Sequence, residues 1–313
     1  MREYRKDLFL FAPNFTLMVY VISVASSDGV IVYCPEGGKF SFFNSPYPAH
    51  STYSAIDIYP RTNFGQIAPS PIYGEVTSIR RVRCPDSRGF KGSKCDYVIL
   101  LRSLENAERL IKILHVEPIV EVGEIIKPGD EIGFLLRSGF FDFWTEPHLH
   151  VEVRDPLDPI RARGGFKLER SIHFNALAEN IDLHGIVVES KQEYSLINLE
   201  HDLRYGIPVE VNGEYGILDA GVPHYRLLGV HMSTQPSIGS IVKLNGVKAG
   251  VVESVHSNMC IAKCFSNLTF KVKGHPVGLS LYLYTSKPLL KIIPNKIGAL
   301  KLEESEDVSI MIS

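Results

Sequence analysis

A chain of 313 residues with a formal charge of −2 is long enough for two domains, and it lacks the basic surplus that a nucleic-acid surface needs. Its five cysteines, Cys34, Cys84, Cys95, Cys260 and Cys264, are odd in number and too few to build a disulfide scaffold. A reducing, cytoplasmic compartment is therefore the expectation.

The start, MREYRKD followed by LFLFAPNFTLMVYVISVA, has the basic-then-apolar order of a signal or anchor. Pro13 and Asn14 interrupt the run, Asp7 sits in its basic part, and its unbroken apolar length falls short of a bilayer span. A buried strand pair is the preferred reading, a signal or anchor the alternative, and no other segment approaches a membrane span. LMVYVIS and VIVY flank the turn former SSDG and read as a hairpin. The Pro-rich FNSPYPAHSTYSAIDIYP then forms a loop entering a short strand, and it carries His50 and Asp57. Asp57 lies between Ile56 and Ile58, so it either turns away from the core or is paired inside it.

VTSIRRVR and DYVILLR read as two arms joined by the polar insert PDSRGFKGSK, with Cys84 and Cys95 at its ends as free thiols, or less favourably as a disulfide or part of a small metal site. YVILLRS, a turn at LENAE and RLIKILHVEP give the next pair of strands, and VGEIIKPGDEIGFLLRSG adds short pieces punctuated by glycine. Composition shifts after DPLDPIRARGG, which sets a boundary between domains 1–163 and 164–313. The second is β-rich throughout, with two Asn-Gly hairpins, EVNGEYGIL and KLNGVKAGVVE, that read as a similar pair. The fold class expected is mainly β: an antiparallel-sheet domain followed by a second β-rich domain.

The chemistry gathers at WTEPHLHVEVRDPLD, where His148 and His150 stand one residue apart at the head of an alternating run. Side chains alternate across a strand, so both imidazoles face the same side and can reach one metal ion and its water. His50, Asp57 and His115 are the candidate partners from elsewhere. Two imidazoles and a carboxylate around zinc leave a position for water, whose pKa can fall from near 15.7 to about 7. The plain alternative is two polar residues on an exposed strand face.

EPHLHVEVR followed by Asp158-Pro159 resembles the signature of the LytM/lysostaphin-type zinc metallopeptidases, the M23 family. AHSTYSAIDIYP, PIYGEV and ILHVEPIVEVGEIIKPGDEIG agree with that family in order, so the resemblance spans about residues 45–160 and none of the second domain. It implies zinc held by His50, Asp57 and His150, a catalytic pair of His115 and His148, and a groove over a β-sheet. Glu152 matches the acid behind the metal-binding histidine and is expected to orient it.

Two departures bear on that site. Six residues separate His50 from Asp57, a longer loop than the family's, and the insert between Cys84 and Cys95 is placed to wall or cover the groove. The activity implied is zinc-dependent cleavage of an amide bond in a peptide substrate. The alternative is a non-catalytic binding or assembly protein that keeps the fold. Positioning a substrate, covering the groove and self-association are the roles open to the second domain.

Overall fold

The computed structural model describes residues 19–173 and 181–313. The N-terminal run up to residue 18 and most of IHFNALAE lie outside the described residues. The first part comprises β1 (Val21–Ser27), β2 (Val30–Pro35), β3 (Lys39–Ser41), α1 (Pro48–Ser51), β4 (Ile56–Tyr59), β5 (Ile67–Pro69), β6 (Gly74–Arg83), β7 (Cys95–Ser103), β8 (Leu110–Leu114), β9 (Val116–Pro118), β10 (Ile125–Ile126), β11 (Glu131–Leu135), β12 (Leu149–Arg154) and β13 (Glu169–Arg170). Among the described residues it forms one large antiparallel sheet in the order β10-β6-β7-β8-β12-β4-β3, with the smaller sheets β13-β1-β2 and β5-β11-β9 packed on it.

The SSDG hairpin forms as expected: Asp28 and Gly29 take positive φ at the turn, and β1 pairs with β2. The arms around the polar insert form as β6 and β7, and YVILLRS and RLIKIL form as β7 and β8. Cys84 and Cys95 are free thiols. The insert itself packs against Arg137 and Gly139 and contributes nothing to the lining of the cleft described below, which corrects the expectation of a wall or lid.

The central strand of the sheet, β12, is buried along its whole length. Its period-two alternation puts Leu149, Val151 and Val153 into the apolar core. His150, Glu152 and Arg154 fall on the opposite face, where a column of polar groups is stable only if each finds a partner. Antiparallel register supplies them: Asp57 of β4 stands opposite His150, and Lys112 of β8 opposite Glu152.

The second part comprises β14 (His184–Ser190), β15 (Ser195–Leu199), β16 (Ile207–Val211), β17 (Glu214–Val222), β18 (Leu227–His231), β19 (Ile241–Leu244), β20 (Val247–His256), β21 (Met259–Cys264), β22 (Phe270–Val272), β23 (His275–Leu281), β24 (Leu283–Tyr284), β25 (Leu290–Pro294) and β26 (Asp307–Ile312). Pairing closes on itself twice: β16-β19-β20-β21-β18-β17 returns to β16, and β23-β22-β26-β14-β15-β25 returns to β23. Closure removes the open edges that would otherwise pair with other chains. The two rings are joined where β17 pairs with β23, and one apolar core runs through both.

Both Asn-Gly hairpins form, in the first ring, with Asn212, Gly213, Asn245 and Gly246 all at positive φ, the conformation a two-residue type I′ turn requires. Cys260 and Cys264 are buried in this core, and burial pushes the Cys260 thiol up to about 12. The two parts are stitched together, since β24 pairs with β3 at the end of the first sheet and Ile217, Met259 and Ile261 pack into the first core.

Candidate metal centre

His50 sits in α1, a single helical turn with Pro48 at its start, where the sequence reading placed loop. That turn, closed by Ser54 N–H and Ser54 Oγ on the Ala49 carbonyl and by Tyr53 at φ 61, takes up the extra residues between His50 and Asp57. The long spacing therefore ends with both side chains on one spot. Asp57 is 1 % exposed and paired inside the molecule.

Three atoms converge there. Asp57 Oδ1 lies 2.9 Å from His150 Nδ1 and 3.3 Å from His50 Nε2, and the two nitrogens are 3.2 Å apart. The outer nitrogen of each ring fixes its tautomer. His50 Nδ1 lies 2.7 Å from the Phe42 carbonyl, which can only accept, so the proton is on Nδ1 and Nε2 presents a lone pair. His150 Nε2 lies 3.0 Å from Glu152 Oε1. Burial raises the Glu152 pKa, but His150 and Lys112 outweigh it and hold the group below its ordinary value, so it accepts the Nε2 proton and leaves Nδ1 bare.

Two lone pairs and a carboxylate oxygen facing one another need a cation among them, a shared proton or a metal ion. Donors on a tetrahedral zinc at about 2.0–2.1 Å stand about 3.3 Å from each other; His50 Nε2 meets that spacing to both partners, at 3.2 and 3.3 Å, and the Asp57–His150 pair is closer, at 2.9 Å. A carboxylate or carbonyl behind each ligating imidazole is the support that zinc histidines have. The residues fit a zinc ion. Burial opposes ionisation of Asp57, yet His50, His148 and His150 hold its carboxyl well below the usual range. Burial works to lower His50, and Asp57 together with the Phe42 carbonyl turns the net direction upward.

His148 and His115 stand beside this triad. His148 Nδ1 lies 2.8 Å from the Glu146 carbonyl, so Nε2 is the bare nitrogen, and it lies 3.7 Å from Asp57 Oδ2. Burial, with His115 and His150 adding to it, pushes His148 down to about 4. His115 occupies a left-handed position, φ 71, at the break between β8 and β9. Asp96 holds it twice, through its backbone N–H at 3.0 Å and its Nδ1 at 2.7 Å. Phe141 packs on both rings, 4.6 Å from His115 and 5.0 Å from His148.

All five residues singled out in the sequence thus meet in one place, with Glu152 directly behind His150. Sequence reasoning missed Asp96, whose signal was an acid at the head of the buried strand CDYVILL, in register to meet the residue that ends the neighbouring arm. It also missed the footing under Glu152, where Lys112 Nζ lies 2.5 Å from Oε1 and Arg154 Nη1 3.0 Å from Oε2.

Asp57, His148, His150 and His115 line a cleft of about 490 Å³, to which the second part contributes Tyr225. A further cavity of about 600 Å³ shares Tyr59 and Thr145 with its lining and is walled by both parts, with Lys39, Arg61, Glu146 and Lys191 among its residues. A second group, His184, Glu200 and Asp307, has the right residue types for a metal. Its carboxylates are exposed and each engages a different nitrogen of the one ring, the pattern of surface ion pairs. Among the described residues no helix is long and apolar enough to cross a membrane.

Residues 33–170 match a family model described as the N-terminal domain of a domain of unknown function, DUF8155. No curated protein matches the chain. Among solved structures, the NMR solution structure of lysostaphin is similar to it at 14% identity, over 80% of this chain and 92% of that one, with a TM-score of 0.26. A superposition that loose carries neither fold nor function across.

Proposed function

We propose that the chain is a zinc-dependent hydrolase of the metallopeptidase kind, which cleaves an amide bond in a peptide. The observation that carries this reading is the convergence of His50 Nε2, Asp57 Oδ1 and His150 Nδ1 beside two further imidazoles that line a cleft. His50 Nε2, Asp57 Oδ1 and His150 Nδ1 would hold the metal. Zinc bound there supplies Lewis acidity toward an amide carbonyl and eases loss of a proton from water.

The protein's own groups do the rest. His148, with its proton committed to the Glu146 carbonyl, accepts a proton at Nε2. Asp96 is held down to about 2: burial raises it, and His115, Ser138 and the Tyr97 N–H outweigh burial. An ionised Asp96 on Nδ1 balances the charge when His115 carries a proton at Nε2, so that nitrogen can donate to a developing oxyanion, and the proton taken up by His148 passes on to the leaving amine. Phe141 keeps bulk water from both rings. The cleft and the neighbouring cavity offer room for a peptide on the side of Tyr59 and Thr145.

The test is hydrolysis of a panel of glycine-containing peptides by zinc-loaded protein and by His115→Ala and His148→Ala. Each variant is expected to keep its zinc and lose about 10²- to 10⁴-fold in kcat. Unchanged turnover in both variants, or none by the zinc-loaded parent on any peptide, would remove the reading.

A further inference from the structure

The loop that carries the first metal ligand is held in part from the second β part. From Ser41, which ends β3 opposite Asp57 of β4, the chain runs through Phe42, Phe43 and Asn44 toward α1, and this stretch is anchored on Asp219 and Leu281 of the second part. Asp219 lies on β17 in the first ring, and it is fully buried. Its Oδ1 accepts the Ser41 hydroxyl at 2.5 Å, and its Oδ2 accepts the Phe42 backbone N–H at 2.6 Å. The Ser41 oxygen in turn accepts the backbone N–H groups of Phe43, at 3.2 Å, and Asn44, at 2.8 Å. Asn44 Nδ2 donates to the Leu281 carbonyl of β23. The far end of this chain of bonds is the metal ligand: the peptide unit whose Phe43 N–H binds Ser41 Oγ carries the Phe42 carbonyl, which takes the Nδ1 proton of His50.

We propose that Asp219, from the second β part, is a positioning residue of the zinc centre that sets the tautomer and aim of His50 through the Phe42 backbone. The inference rests on the zinc reading of the centre. Its physical basis is direct. A carboxylate between two backbone-directed donors fixes the plane of the loop, and a carbonyl so fixed can hold an imidazole in one orientation, the role that outer partners of zinc histidines perform. The apolar contacts point the same way, since Phe42 and Phe43 pack on His231, which itself lies 3.2 Å from Asp219 Oδ2. The second part would thus support the His50 side of the ligand set, in addition to walling the cleft with Tyr225.

The test uses the full chain and reads metal binding rather than turnover. Asp219→Asn keeps the shape and replaces one acceptor by a donor, so it cannot serve both Ser41 and Phe42; Ser41→Ala removes the hydroxyl alone and is the milder change. Zinc affinity is measured by competition with a chromophoric chelator, cobalt(II) substitution gives the visible spectrum of the site, and circular dichroism and urea unfolding of the metal-free protein report the fold. For Asp219→Asn, zinc affinity is expected to fall about 10- to 100-fold and the cobalt spectrum to change, with a smaller loss in the same direction for Ser41→Ala. A folded Asp219→Asn protein with parental affinity and spectrum overturns the inference. Should Asp219→Asn fail to fold, Ser41→Ala decides, and parental affinity and spectrum there overturn it equally. A parent protein that binds neither zinc nor cobalt refutes the zinc reading itself, and this inference with it.

Discussion

Asp96 meets His115 with both carboxylate oxygens, one on the backbone N–H and one on Nδ1, and Ser138 Oγ adds a third donor at 2.6 Å. Its pKa is held at about 2 against an ordinary 3.8, so the ionised form is the one the fold favours. A depressed acid contributes stability that is complete above its unfolded pKa and is lost as pH falls through the folded one. The window runs from about pH 4 to pH 2, and the difference is worth about 2 kcal/mol. Urea unfolding of the parent and of Asp96→Asn should show the parent's advantage shrinking by that amount between pH 5 and pH 2; an advantage that stays constant would contradict it. At this scale the sequence was informative about residue type and poor about partners. H-x-H on an alternating run announces two imidazoles on one face, but nothing local says that one nitrogen of each is already committed to Phe42, Glu152, Asp96 or a backbone carbonyl.

Strands and turns were the most legible elements, because period-two alternation and Asn-Gly or Asp-Gly turns are local signals. The turn at α1 was not, because Pro-rich polar chain takes up one helical turn only when its ends are held: Ser54 closes it on the Ala49 carbonyl, and the chain leading into it is anchored on Asp219 and Leu281 of the second part. Gly229 on β18 belongs to that support. A Cβ there would lie 2.0 Å from Phe43 Cδ2, inside the loop that leads to His50. Gly229→Ala is expected to cost about 1–3 kcal/mol by overpacking and to weaken zinc binding at the same time. Denaturant midpoint and zinc affinity check the two effects together; a stability loss with unchanged affinity would separate the loop from the site.

Across the whole molecule, two β parts in succession were expected, and the connections between them were invisible to any local pattern. β24 crosses back to pair with β3, and the first ring is inserted between strands of the second. Pairings of this kind join segments far apart in the chain, so no window of sequence contains them. One buried cluster ties the parts together near the cleft: Glu146 lies between Lys39 of β3, at 2.8 Å, and Lys291 of β25, at 2.9 Å, and its own carbonyl holds His148. Burial raises the Glu146 pKa and the two ammonium groups outweigh it, holding it below the carboxylate range. Glu146→Gln strands two buried ammonium groups and should cost about 3–5 kcal/mol, read by urea unfolding. A loss below about 1 kcal/mol would show that the cluster does not hold the parts together.

On the reading proposed, three side chains drawn from a helical turn and two strands form one zinc site. Metal analysis of the purified chain, its Asp57→Ala variant and its His115→Ala variant tests it most directly. The expected result is about one zinc per chain in the parent and in His115→Ala, and loss of zinc in Asp57→Ala. Full zinc in Asp57→Ala would contradict the account.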